Sequence, residues 1–294
     1  MNPLDDDGCT GCSEYRELSR RQFVTGTAGA AVAATFPSWL PKVVLASNFV
    51  SARDVMVSIF QRGGADGLSI CVPFADPAYY TARPTIAIPR PDATNVATRG
   101  IALDNFFAFP QAMAGLVPAF SAADLLIVHA TGQLNNSRSH FDAQRYMEVG
   151  KPLDPALVTG WLGRHLASAP PFSATAPLRA LGLSSGLQKT LVGGPKTLPI
   201  ADPSNFSIGG TTSTSAARLA LLQADYDAAS EPLRSSALDA VNTVALLKSV
   251  NIAGYVPANG VVYPASSFAR ALRSVAALIK ADVGIEAAQV DIGN

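Results

Sequence analysis

Arg53-Asp54-Val55-Met56-Val57-Ser58-Ile59-Phe60 runs without a break into Gln61-Arg62-Gly63-Gly64-Ala65-Asp66-Gly67. The first part is rich in β-branched and aromatic side chains, the composition of a strand buried in a sheet. The second is a glycine-rich loop, in which the backbone can approach a ligand closely. A strand that empties into such a loop reads as the opening of an α/β unit.

The rest of the chain continues that alternation. Leu68 to Pro73 is a second short apolar segment, and 76–100 is a Pro-, Thr- and Arg-rich excursion over the surface. Apolar residues at Met113, Leu116, Val117 and Phe120 give 109–120 a helical pattern. Asp124-Leu125-Leu126-Ile127-Val128-His129 reads as the clearest parallel-type strand. A polar loop follows, and a helix is predicted from near Ser139 to Val149, with Ser137 or Ser139 as its N-cap. Trp161 to Ser168 is a short helix, Leu178 to Gly186 a strand leading into a turn, and 190–206 is loop-rich. Long helical patterns cover 216–250 and 266–282. The sequence stops within Ala287-Ala288-Gln289-Val290-Asp291-Ile292-Gly293-Asn294, which looks like a strand entering its loop. The fold class expected is α/β, a mixed or parallel sheet flanked by helices. The stop in mid-strand points to a C-terminally incomplete domain; a terminal edge strand is the plainer alternative.

Upstream of the opening strand, Ser19-Arg20-Arg21-Gln22-Phe23-Val24 resembles the twin-arginine export consensus. A weakly apolar stretch from Val24 to Leu40 follows, rich in Ala, Gly and Thr, and then Lys42 and the small-residue pattern Val44-Leu45-Ala46. Arg20 and Arg21 would be read by the twin-arginine translocase, and Ala46 would fit the cleft of a signal peptidase. The expected division is a signal peptide at 1–46 and a mature domain at 47–294, delivered to the periplasm or secreted. The apolar stretch is too short and Gly-rich for a stable membrane span.

Composition narrows the function further. Basic and acidic residues balance at 22 each, and charged residues make up 15% of the chain. That argues against a nucleic-acid surface, which needs a visible excess of Lys and Arg. Cys9 and Cys12 fall in the leader, leaving Cys71 alone in the mature chain and no internal disulfide to form. The CxxC spacing of the first two lacks the βαβ context of a redox motif.

Two loops carry candidate chemistry, because ligands in open α/β sheets gather at the carboxyl ends of strands. Asp66, in the first loop, offers a hard oxygen to a metal ion, or bonds its own backbone in a tight turn. The second loop holds Asn135-Asn136-Ser137-Arg138-Ser139-His140-Phe141-Asp142. A hydroxyl of Ser137 or Ser139 at a helix N-terminus sits where an oxyanion is stabilised, and Arg138 can fork onto that anion. His140 is a candidate base and Asp142 a candidate metal ligand. The same Ser-x-x-Asp spacing is also a plain helix-capping pattern.

Together the leader, the strand followed by RGGADGL, the segment YYTARPTIAI and the stretch NNSRSHFDAQRYMEVG are similar to DUF1501 proteins. These are an exported bacterial family related to the alkaline phosphatase and sulfatase superfamily. The resemblance spans roughly residues 15–294. It implies an alkaline-phosphatase-like fold and a metal-dependent hydrolase acting on phosphate or sulfate esters. Asp66 would be a metal ligand, and Ser137 or Ser139 would lie near the nucleophile position. The family's Trp-Asp-Thr-His, Ser-Glu-Phe-Gly-Arg-Thr and Asp-His-Gly motifs do not occur here. A divalent metal is therefore expected of a full-length protein, and this chain alone is expected to be inactive. The alternative is a catalytically silent envelope or secreted binding protein on the same fold.

Overall fold

The opening strand forms where its sequence places it: β1 spans Met56–Gln61. The computed structural model describes residues 54–133 and 135–293, so the leader read at 1–46 lies outside the described residues. After β1 the chain makes two short helices, α1 (Gly67–Ile70) and α2 (Pro77–Ala82). A small antiparallel pair follows, β2 (Ile101–Ala102) with β3 (Ala108–Phe109). Val72, Tyr79 and Ala108 form a separate small core beneath this region. The helical pattern at 109–120 becomes a 3-10 turn, Gln111–Leu116, that runs into α3, Val117–Ser121.

Asp124 to His129 departs from the strand expectation. The segment forms no strand and pairs with none among the described residues, and Leu126 and Val128 stand 58% and 63% exposed. Leu125 and Ile127 between them are half-buried. A short apolar run favours partial burial; it does not by itself supply a neighbouring strand to complete the hydrogen bonds.

Helix α4 (His140–Val149) then begins on the Ser139 cap and ends at Gly150, whose φ of 68° is the left-handed conformation that glycine adopts freely. Helix α5 is Trp161–Ser168, β4 is Ala180–Gly182 and β5 is Thr197–Pro199. The long pattern at 216–250 divides into α6 (Ser215–Asp227) and α7 (Leu233–Ser249). Pro232 stands in the break, having no N–H to carry a helix through. Helix α8 (Ser267–Lys280) starts where the Ser266 hydroxyl accepts the Ala269 N–H at 3.1 Å, and β6 (Ala287–Ile292) closes the described chain.

The main sheet has the order β1-β6-β4-β5 with every pairing parallel. The terminal segment read as an entering or edge strand is thus an interior strand. Ala287 lies opposite both Met56 and Ala180, and Ala287 to Val290 are buried on both faces. Small side chains at Ala287 and Ala288 let helices close from either side. On one face Leu162 and Leu166 of α5 meet Ala180, Leu191 and Ala287. On the other, Leu247 of α7 and Ala277 and Leu278 of α8 meet Leu178, Leu181 and Ile285. Each fully buried leucine there contributes about 1.5–3 kcal/mol. Helix α5 rides directly on the 189–192 turn, since a Cβ at Gly163 would come within 2.3 Å of the Val192 carbonyl oxygen.

Candidate functional site

Three parallel strands, β1, β6 and β4, end at the same edge of the sheet, and a cleft of about 560 Å³ opens there. Parallel strands with helices on both faces leave this edge as the natural place for a ligand. Each wall is set by an element already described. Arg62 follows β1, Asp291 and Gly293 come from β6 and its exit, and Gln144 and Glu148 project from one face of α4. The turn after β4 adds Ser184, Ser185, Gly186, Gln188 and Lys189.

Arg62 is the hub. Its Nε donates to Asp291 Oδ2 at 2.9 Å and its Nη2 donates to Glu148 Oε1 at 2.8 Å. The guanidinium also lies 5.0 Å from the centre of the Phe60 ring. Burial works against the Arg62 charge, but the bonds to Glu148 and Asp291 more than offset it, so its pKa is raised. Asp291 is fixed from behind by the Gln289 amide, which donates to Oδ1 at 2.9 Å. Gln188 lies over Gly182, where a Cβ would fall 2.1 Å from Gln188 Oε1. Its Nε2 reaches the Gln289 carbonyl at 3.5 Å. Lys189 makes no ion pair among the described residues, and Arg62 Nη1 is given to neither carboxylate. The cleft therefore presents two cationic groups with capacity to spare.

The residues singled out from sequence lie elsewhere. Asp66 caps α1: it accepts from Leu68 N at 3.2 Å, from Ser69 Oγ at 2.7 Å and from Arg83. The Ser69 hydroxyl and Arg83 hold its carboxyl below the usual carboxylate range. Ser139 caps α4, accepting from Asp142 N at 3.2 Å. Ser137 Oγ accepts from Ser139 N at 3.1 Å and stands 3.4 Å from Asp142 Oδ2. His140 and Arg138 are exposed, with the His140 ring edge-on to Phe141. The structure does bring Ser137, Ser139 and Asp142 together, in a self-satisfied capping turn. It brings none of them, nor Asp66, to the cleft lining. His140 and Glu148 are separated by eight helical steps, about 12 Å along α4 at 1.5 Å per residue.

Asp66 and Asp142 were the candidate metal ligands, and the donor set around them is thin. Among the described residues no three His, Cys, Asp or Glu side chains converge. Asp66 already spends both oxygens on Ser69, Arg83 and Leu68. On their own the described residues do not fit a divalent ion, which needs several oxygen or nitrogen donors at once. Cys71 is buried 3.9 Å from His129 Nε2, and burial, with Asp104 nearby, pushes its thiol up to about 11. A thiol of that kind is not a nucleophile at neutral pH.

The sequence did carry signals for the true cleft residues. Asp291 sits at the end of the last strand, where the same strand-end rule applies. Gln144 and Glu148 are four apart on a helix already predicted. Gln188 and Lys189 had no signal, because only the fold returns the turn after β4 to Arg62. Among the described residues no helix is long and apolar enough to cross a membrane. Comparison of the chain with family models, with curated proteins and with solved structures found no match.

Proposed function

We propose that this is an exported protein whose α/β body, alkaline-phosphatase-like in plan, holds a phosphate or sulfate ester in the strand-end cleft. Export would use the twin-arginine translocase, with signal peptidase cutting after Ala46. The observation that carries the ligand reading is that one polar cleft is lined both by Arg62, whose Nη1 is given to neither carboxylate, and by Lys189, which has no ion pair among the described residues. Among the described residues neither Arg62 Nη1 nor the Lys189 ammonium has an acceptor, and a guanidinium and an ammonium lining one cleft are suited to an oxyanion.

Binding is better supported than turnover. The cleft hydroxyls, Ser184 and Ser185, have no histidine or cysteine among the lining residues to act with them, and Glu148 is committed to Arg62. The hydrolase reading, with a divalent metal and Asp66 among its ligands, needs donors beyond those described. Metal analysis of the protein recovered from cells, as wild type and as Asp66→Ala, tests it. Equal metal content in the two would remove Asp66 from the role.

The ligand reading is tested by calorimetric titration of the full chain with inorganic phosphate and inorganic sulfate. Saturable binding that weakens about tenfold in Lys189→Ala is expected, the size of one charge-assisted hydrogen bond. Failure of both anions to bind would overturn it. Export is tested on the same preparation by intact mass, since cleavage after Ala46 leaves Ser47 as the first residue.

A further inference from the structure

The strand-end cleft is charged, but its charges balance: Arg62 and Lys189 line it, and so do Glu148 and Asp291. Most of the carboxylate oxygens there already have donors. Asp291 Oδ2 accepts from Arg62 and Oδ1 from Gln289, and Glu148 Oε1 accepts from Arg62. Glu148 Oε2 accepts from no group among the described residues, and it keeps some contact with solvent. The Glu148 side chain is only 7% exposed and is tied to Arg62 at 2.8 Å, so Oε2 is a placed acceptor and not a roaming surface charge.

An ionised carboxylate oxygen can only accept. A sulfate group is fully ionised near neutral pH and has no hydrogen to offer, so it meets such an oxygen as one like charge meets another. Inorganic phosphate keeps a P–O–H there, and a phosphate monoester gains one below a second pKa of about 6. Its hydrogen bond to a carboxylate is of the strong, charge-assisted kind. Ser184, Ser185 and Gln144 also line the cleft but do not discriminate, because each both donates and accepts.

We propose that Glu148 makes the cleft selective for phosphate over sulfate. The oxyanion lies against Arg62 and Lys189, and its P–O–H donates to Glu148 Oε2. This rests on the oxyanion reading of the same cleft and chooses between its two esters.

The test titrates the full chain at pH 6 with inorganic phosphate, inorganic sulfate, methyl phosphate and methyl sulfate. Each phosphate is expected to bind at least about tenfold tighter than the matching sulfate, the worth of one charge-assisted hydrogen bond. Methyl sulfate carries a single charge, so its weak binding separates the missing proton from mere excess of charge. Glu148→Gln keeps an oxygen for Arg62 and puts an N–H in place of Oε2. In that variant the gap closes because both sulfates bind more tightly than to wild type, a gain that an unfolded variant could not show. Sulfates that match the phosphates on wild type overturn the selectivity and leave the oxyanion reading standing. A preference for phosphate that survives Glu148→Gln removes Glu148 from the role. Failure of all four anions to bind wild type overturns the oxyanion reading itself, and the selectivity with it.

Discussion

The two ends of the parallel sheet each carry an arginine held by carboxylate, and they differ in what is left over. At the amino-terminal end Arg179 and Glu286 flank β4 and β6, with side chains 5% and 6% exposed. The pair is bidentate, Nε to Oε1 and Nη2 to Oε2, both at 2.7 Å. The remaining capacity is consumed as well: Arg179 donates to the Leu166 and Ala169 carbonyls, and Glu286 accepts from Phe172 N. At the carboxyl end Arg62 is 20% exposed, is shared between two carboxylates, and lines a cleft with Nη1 given to neither of them. The same pair of residue types closes the sheet at one end and lines an open cleft at the other. The difference lies in the hydrogen-bonding capacity left over at each arginine.

The largest expected effect is at the closed end. Arg179→Ala strands Glu286 in a buried site, and breaking such a pair costs about 3–5 kcal/mol. Urea unfolding of the variant checks this, and a loss under about 1 kcal/mol would mean that the closed end is not sealed. Arg62→Met should cost less, about 1–3 kcal/mol, because Asp291 keeps access to water while Glu148 is left with an unpaired oxygen. The same variant should lose oxyanion binding. Equal destabilisation by the two substitutions would erase the distinction between the ends.

Acid sharpens the comparison. Burial pushes the Glu286 carboxyl up, but the Arg179 fork and the Phe172 N–H more than reverse it, so its pKa is held below the usual carboxylate value. A depressed carboxylate contributes stability above its unfolded pKa and loses it as pH falls through the folded one. Glu286→Gln should therefore be less stable than wild type at neutral pH, and the gap should narrow as pH drops below about 4.5. Parallel denaturation series across that range read it directly, and a gap independent of pH would show that the pair contributes through packing alone.

How much of this was legible in the sequence follows from where each signal is stored. β1, the Ser139 cap, α5 and the strand at the end of the chain are local: their residues alone set the period, the cap or the apolar run. The α/β class followed from them. The break at Pro232 is equally local, although the apolar pattern runs on at either side of it. The cleft was not legible, because its walls come from positions 62, 148, 188 and 291, which only the β1-β6-β4 pairing brings together. Asp66 and Ser139 drew attention as acid and hydroxyl in polar loops. The structure uses both to satisfy backbone N–H groups at helix starts, the commonest use of those residue types. Asp124 to His129 shows the converse, a strong strand composition with no strand beside it among the described residues.

The smallest effect tests the two ends of one helix against each other. Ser139 stands at the start of α4 and Glu148 near its end, so a substitution at the cap should reach stability without reaching the cleft. Ser139→Ala removes the acceptor for Asp142 N and is expected to cost about 1 kcal/mol, the usual value of an N-cap. Phosphate or sulfate affinity should stay within a factor of about two, since the cap lies about 13.5 Å along the helix from Glu148. Urea unfolding and anion titration of the same preparation give both numbers. A variant of wild-type stability that no longer binds anion would move the site to the start of α4, where Ser137, Arg138, Ser139 and His140 were first read as catalytic. The reverse, a modest loss of stability with binding intact, leaves those residues as the cap and Arg62 as the ligand-facing group.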